Sequence, residues 1–178
     1  MRRSTPHHPG FTTQCLAVLA IAMLGGCQAS PEPIAYDLTI EPVEGLPVLT
    51  VDMIGVTASE LPIWEEMSMT RYWTRGTDEN QRRVDNINAG YMFSHALAAG
   101  QIDPVELPAD EEIWQRWLDR GATHLVVMSN LEADEDRPGS ADRRRRILPL
   151  AEDTWDGEQL RVQLRSSGFT VLTREQPR

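Results

Sequence analysis

The sequence QLRVQLRSSGFTVLT at residues 159–173 decides the fold class. Apolar and polar residues alternate over residues 159–165, which places the apolar side chains on one face of a strand. Ser166, Ser167 and Gly168 then form a turn, and residues 169–173 return as a second strand. A hairpin of this kind is typical of a mainly β domain built on antiparallel sheets, each with one buried face.

Further strands are predicted upstream of this hairpin. Residues 123–131 (THLVVMSNL) form a continuous apolar run, which favours a central strand. Alternation predicts two strands near the start of the domain, at residues 36–41 (YDLTIE) and 48–56 (VLTVDMIGV). A further short strand is predicted at residues 146–150. Strands therefore outnumber helices in the prediction.

One helix is predicted with clear boundaries, over residues 110–120. Asp110 stands at the N-cap and acidic residues fill the first turn, where the helix dipole favours them. The apolar stripe includes Trp114 and Trp117, which we expect in the core. A short helix is predicted to begin near Ser59. The sequence predicts a small antiparallel β-sandwich with one or two appended helices.

The segment between these elements is harder to assign. Residues 74–90 (TRGTDENQRRVDNINAG) are polar and are predicted to be irregular, whereas the run YMFSHALAAG at 91–100 is helix-like.

Composition limits the functions open to the protein. The chain of 178 residues is 40% hydrophobic and 25% charged, which fits one globular domain after an N-terminal leader. Its formal net charge is −10, and removing the leader, with Arg2, Arg3 and no acidic residue, makes it −12. Such a charge repels phosphate backbones, so we expect no nucleic-acid partner.

The first 27 residues indicate export and lipidation. Arg2 and Arg3 make the N-terminal region basic. The apolar run CLAVLAIAML at 15–24 is too short to span a bilayer, which needs about 20 helical residues. Leu24-Gly25-Gly26-Cys27 follows directly. This sequence resembles the lipobox of bacterial lipoproteins, which implies cleavage before Cys27 and acylation of its thiol and amine.

The resulting organisation has three parts. Residues 1–26 form a signal peptide, residues 27–36 a lipidated cysteine and tether, and residues 37–178 a single β-sandwich-like domain. Two or three acyl chains would hold the domain on a membrane essentially permanently, since one chain anchors only marginally. By resemblance to Gram-negative lipoproteins, Gln28 after the cysteine favours the periplasmic face of the outer membrane.

The layout resembles the outer-membrane lipoproteins of type VI secretion systems. The resemblance is carried by residues 24–27, strand 48–56, strand 123–131, RRILPL at 145–150 with Trp155, and the hairpin 159–173. It implies a transthyretin-like β-sandwich that docks on the periplasmic part of an inner-membrane protein. Residues 57–108 match no pattern of that family.

Catalysis and metal binding are not indicated. His95 and His124 lack a predicted cluster of partners, and no phosphate loop, nucleophile elbow or HExxH motif occurs. Acidic residues at 132, 134, 135, 136 and 142 resemble a calcium loop but lack its glycine and terminal glutamate. We expect this run to be a solvated loop balanced by the arginines at 143–146, and we expect no enzyme activity, metal or cofactor.

A docking surface is the remaining candidate site. The stretch from Trp64 to Arg75 is rich in the residue types enriched at interface centres. Its candidate partner-binding residues are Trp64, Met67, Met69, Arg71, Tyr72, Trp73 and Arg75. The alternative for this stretch is simple packing onto the sandwich. The alternative for the protein is a periplasmic module that binds a small molecule or a cell-wall component.

The lipidation prediction is tested by Cys27→Ser. Cleavage and acylation both need the thiol, so the variant should stay unprocessed and take up no label from a fatty-acid analogue in growing bacteria. Equal labelling of the wild type and the variant would contradict the prediction.

Overall fold

The computed structural model describes residues 31–133 and 135–177. Within these residues the strands are β1 (Asp37–Pro42), β2 (Leu49–Val56), β3 (Phe93–Leu97), β4 (Val105–Leu107), β5 (His124–Ser129), β6 (Arg145–Pro149), β7 (Gln159–Arg165) and β8 (Gly168–Val171). The helices are α1 (Leu61–Glu66), α2 (Met69–Trp73), α3 (Asp78–Asn88) and α4 (Glu112–Asp119), with a 3-10 turn at Gly139–Ala141.

The strands form two four-stranded sheets. The first has the order β4-β1-β7-β8 and the second the order β3-β2-β5-β6. Every neighbouring pair is antiparallel except β1 with β7, which is parallel. The prediction of a mainly β, sandwich-like domain is confirmed, and the predicted hairpin is β7–β8.

The main core lies between the two sheets, and α4 closes it on one side. Trp114 and Trp117 of α4 are 1% and 0% exposed and meet edge to face, with ring centroids 5.0 Å apart. The indole N–H of Trp117 donates to the carbonyl of Tyr91 at 2.7 Å. Gly55 on β2 makes room for this ring, because a Cβ there would lie 2.5 Å from Trp117 Cβ.

A second core lies on the opposite face of the β3-β2-β5-β6 sheet. Ile54 and Val56 of β2 and Val126 and Met128 of β5 are buried there, under apolar side chains from the segment that carries α1 and α2. Strands β2 and β5 therefore bury both faces. The helical layer is larger than predicted: four α-helices are described where one or two were expected.

Two local predictions are wrong. Residues 74–90 contain the helix α3, which begins where the Thr77 side chain accepts from the Asn80 N–H at 3.2 Å and Asp78 and Glu79 complement the helix dipole. The run at 91–100 contains the edge strand β3, because Phe93 to Leu97 pair with β2.

The last residues of the predicted tether contact the domain. Pro33 pairs with Ala151, the Ile34 N–H donates to the Leu150 carbonyl at 2.9 Å, and Tyr36 is fully buried with its hydroxyl on the Ala151 carbonyl at 2.8 Å. Residues 33–36 therefore belong to the folded domain. Cys27 and the leader lie outside the described residues, so the lipidation prediction stays a prediction.

The placement of Trp117 predicts a large loss of stability in Trp117→Ala. Removing a fully buried indole should lower the free energy of unfolding by about 3–5 kcal/mol. Leu172→Ala is the control, because Leu172 is 43% exposed. Urea unfolding of a soluble form starting at Ser30 measures both; a loss below about 1 kcal/mol in Trp117→Ala would contradict the packing of α4.

Candidate functional surfaces

The candidate docking stretch is mostly inside the protein. Trp64, Met67, Met69 and Tyr72 are 3%, 7%, 0% and 0% exposed and belong to the second core. These four side chains pack onto the sheet instead of facing a partner, because the outer faces of β2 and β5 are apolar and need cover. Of the predicted set, Arg71, Trp73 and Arg75 keep exposed surface.

A buried carboxylate fixes this helical layer to the sheet. Asp52, in the middle of β2, is fully buried. It accepts from the Tyr72 hydroxyl at 2.8 Å, the Ser94 hydroxyl at 2.6 Å, and Nε and Nη2 of Arg83 at 2.5 and 3.2 Å. The three donors come from α2, β3 and α3, so one side chain joins three elements. Burial, reinforced by the nearby carboxylate, raises the pKa of Tyr72, which keeps its hydroxyl a donor.

A buried cation fixes the other end of the same layer. Arg145 of β6 is 1% exposed. Its guanidinium donates only to backbone carbonyls: Nη1 to Trp64 and Met67 at 2.6 and 2.8 Å, Nη2 to Glu65 at 2.8 Å. Two further bonds reach the 137–139 loop, from Nη2 to Arg137 and Nε to Gly139, each at 2.9 Å. Burial lowers the pKa of Arg145.

Arg144 holds the loop with the acidic residues at 132–142 in place. Arg144 is 4% exposed and binds both carboxylate oxygens of Asp142, at 2.9 and 2.7 Å, and also Asp136. Asp136 in turn accepts from the Thr70 N–H at 2.9 Å and from the Ser68 and Thr70 hydroxyls, at the start of α2. Burial alone would raise the pKa of Asp136, but these donors outweigh it and hold the pKa far below its usual range.

The interpretation of this run as a solvated, charge-balanced loop is therefore only partly right. Glu132 and Glu135 are exposed, whereas Asp142, Arg144 and Arg145 are buried. Asp134 lies outside the described residues. Among the residues that the structure describes, no group of three or more His, Cys, Asp or Glu side chains could hold a metal ion.

The two histidines are spread over different strands. His95 lies on β3 beside the Phe93 ring, and His124 begins β5, where its Nδ1 lies 2.9 Å from the Thr123 hydroxyl. Burial lowers the pKa of His124. The structure does not bring these two residues together into a site.

The most exposed large apolar side chains lie at the end of the sandwich where β1 turns into β2. Val48 is 70% exposed and Ile102 is 64% exposed. Their loops are joined by a hydrogen bond from the Gly100 N–H to the Leu46 carbonyl at 2.9 Å. We call these two residues the loop patch. Sequence reasoning missed it, although a valine at the start of an alternating strand and an isoleucine in a polar loop were visible.

An open depression lies beside Pro47, the residue before Val48. It has a volume of about 500 Å³ and lies between the turns that hold Pro47, Leu131 and Ser166, with Glu132, Arg143 and Ser167 on its rim. It is open to solvent, unlike the enclosed pocket that small ligands usually occupy. Of the helices that the structure describes, none combines the length and hydrophobicity needed to span a membrane.

Comparison with known proteins gave structural neighbours only. No protein-family model and no curated protein matches the chain. It is similar to the crystal structure of the type VI secretion lipoprotein TssJ1 from Pseudomonas aeruginosa, at a TM-score of 0.48 and 12% identity over 82% of this chain and 99% of that chain. A structure described as a type VI membrane complex gives a TM-score of 0.48 and 17% identity over 78% of this chain and 98% of that chain.

A third neighbour is described as the T6SS protein TssM C-terminal domain from EAEC. It gives a TM-score of 0.46 and 13% identity over 78% of this chain and 97% of that chain. A lipoprotein of a type VI secretion system, the class of protein that the sequence resembles, is thus among the structures similar to this chain.

The Asp52 contacts predict that Tyr72 is structural. Tyr72→Phe removes one donor from a buried carboxylate and should lower the free energy of unfolding by about 1.5–3 kcal/mol. Arg75→Ala, at an exposed position, should stay within about 0.5 kcal/mol of the wild type. Denaturant unfolding of both variants measures this, and equal small effects would mean that Asp52 is satisfied without Tyr72.

Proposed function

We propose that the protein is a lipid-anchored lipoprotein of the bacterial cell envelope that docks on a protein partner in an envelope-spanning, type VI-like secretion complex. The anchor is Cys27, and the membrane is most simply the outer membrane, with the domain in the periplasm. The role is one of assembly and is not enzymatic.

The anchoring part of the proposal is supported by the sequence LGGC at 24–27 after a short apolar run. The type VI part is supported by the resemblance of the strands and of the closing hairpin to those of type VI secretion lipoproteins. The position of the loop patch fits both. Residues 33 and 34 join the domain beside Leu150 and Ala151, and β1 then runs from Asp37 to Pro42 toward the loop patch.

With Cys27 as the anchor, this geometry supports one orientation of the loop patch. The chain enters the domain at Pro33, six residues after Cys27, at the end of β1 that lies away from Val48. A lipid on Cys27 would hold that end near the membrane. The loop patch would then face the periplasm, where a partner can reach it.

The observation that carries the docking proposal is the exposure of the loop patch. Val48 and Ile102 expose 70% and 64% of their surface in neighbouring loops, although larger apolar side chains of the domain are buried. Apolar side chains of this kind gain most when a partner removes them from water, at roughly 25 cal/mol per Å². The depression beside Pro47 carries Glu132, Arg143 and Ser166, which are residue types found at the polar rim of an interface.

The proposal is tested by measuring binding to the periplasmic domain of the inner-membrane component of the type VI system from the same organism. The double variant Val48→Asp/Ile102→Asp should weaken binding at least about 30-fold, which corresponds to about 2 kcal/mol. Its thermal unfolding should match that of the wild type, because both side chains are exposed.

Leu172→Asp is the matched control. Leu172 is also exposed and apolar, but it lies beside Arg161, at the end of the hairpin opposite the β7–β8 turn. Its binding should equal that of the wild type. A wild-type domain that does not bind, or a double variant that binds as well as Leu172→Asp, would contradict the proposal.

A further inference from the structure

One edge of the β3-β2-β5-β6 sheet is open. Strand β3 pairs only with β2 among the described residues. The carbonyls of Thr50 and Val56 accept from Asn130 and Thr123, so the even-numbered residues of β2 face β5 and its odd-numbered residues face β3. In the register of Val51 with His95, the N–H and C=O groups of Phe93, His95 and Leu97 therefore face β2.

The backbone groups of Ser94 and Ala96 consequently face away from the sheet. Both residues are exposed, and within the described parts of the chain neither backbone N–H has a partner. The next outward N–H, that of Ala98, is already capped by the Gln101 side chain at 3.1 Å. The open edge thus consists of two N–H groups and two carbonyls.

The opposite edge of the same sheet is closed. On β6 the Arg145 N–H donates to the Asp142 carbonyl at 3.0 Å, and the Ile147 N–H donates to the Ser140 hydroxyl at 3.0 Å. Pro149 has no N–H, and its carbonyl accepts from the Trp155 indole at 2.8 Å. Natural proteins blunt edge strands in such ways, because unpaired backbone groups attract other strands.

Strand β3 carries none of these protections. Its sequence FSHAL has no proline, lysine or acidic residue. The side chains at Ser94 and Ala96 are small, and the Ser94 hydroxyl is held by Asp52 at 2.6 Å, so another backbone can approach closely. Strand β4, the neighbouring edge of the other sheet, is only three residues long and stands between Pro104 and Pro108.

We propose that the β3 edge accepts an extended segment of a partner protein as an added strand. Backbone hydrogen bonds to Ser94 and Ala96 would supply the affinity, as in other cases of strand addition. The partner segment is basic, because the mature chain has a net charge of −12. The same charge disfavours a second copy of this chain as the occupant, since two copies would repel each other.

This site is separate from the loop patch, and its test does not use the partner of the proposed function. The probe is a capped eight-residue peptide of alternating lysine and valine, compared with the same peptide carrying glutamate in place of lysine. The lysine peptide should bind the soluble domain at least tenfold more tightly. It should also slow hydrogen exchange at the Ser94 and Ala96 amides more than at other exposed amides.

Ala96→Pro isolates the backbone contribution. Proline removes the outward N–H, and an edge strand tolerates it because that N–H bonds to no other strand. Binding of the lysine peptide should fall at least tenfold in Ala96→Pro and stay within twofold in Ala96→Thr, which keeps the N–H. Near-ultraviolet circular dichroism and thermal unfolding establish that both variants fold.

Three outcomes would overturn the proposal. These are unchanged exchange at Ser94 and Ala96 in the wild type with the peptide, equal binding of the two peptides, or equal binding to Ala96→Pro and Ala96→Thr. Exchange protection that grows with protein concentration in the absence of peptide would identify a second copy as the occupant and would also overturn it. The exchange measurement needs no variant, so an unfolded Ala96→Pro leaves the test intact.

Discussion

Asp52 places a negative charge in the middle of the second sheet, and the helical layer supplies most of what neutralises it. A carboxylate buried to this extent costs several kcal/mol unless it is paired and fully hydrogen-bonded. Arg83 pairs with it, and Tyr72 and Ser94 complete its shell. The helices α2 and α3 must therefore sit where these donors reach β2. Arg145 fixes the same layer from β6 by binding the carbonyls at the end of α1.

This constraint explains why the domain has three layers. The first sheet covers the inner face of β2 and β5, and the helices cover the outer face, so both strands are buried on both sides. Their sequences therefore differ from that of a strand with one solvent-exposed face. In β5 the run LVVM is apolar throughout, whereas β7 alternates because its outer face meets solvent.

The strands could be predicted from the sequence because their patterns are local. Alternation located β1, β2 and the β7–β8 hairpin, and the apolar run located β5. The helix α3 could not be found in this way, because none of its residues is buried and its best signals are the Thr77 cap and the acids after it. Strand β3 resembled a helix because a five-residue edge strand with small residues has no clear period.

The candidate site was harder to predict than the fold. Trp64, Met67, Met69 and Tyr72 are interface residue types and also core residue types, and the sequence alone does not show that the outer face of β2 needs cover. The exposed residues Val48 and Ile102 carry no motif. Exposure and an open sheet edge are properties of the assembled fold, so the loop patch and the β3 edge became visible only in the structure.

The four successive arginines at 143–146 have a consequence for protease sensitivity. In an unfolded chain these four residues form a run of successive trypsin cleavage sites. In the folded domain Arg144 and Arg145 are 4% and 1% exposed and anchor a strand and a loop. A protease needs a stretch of extended, accessible chain, so cleavage after Arg144 or Arg145 has to wait until the helical layer lifts from the sheet. The rate of limited digestion at this site would therefore measure how often the helical layer opens.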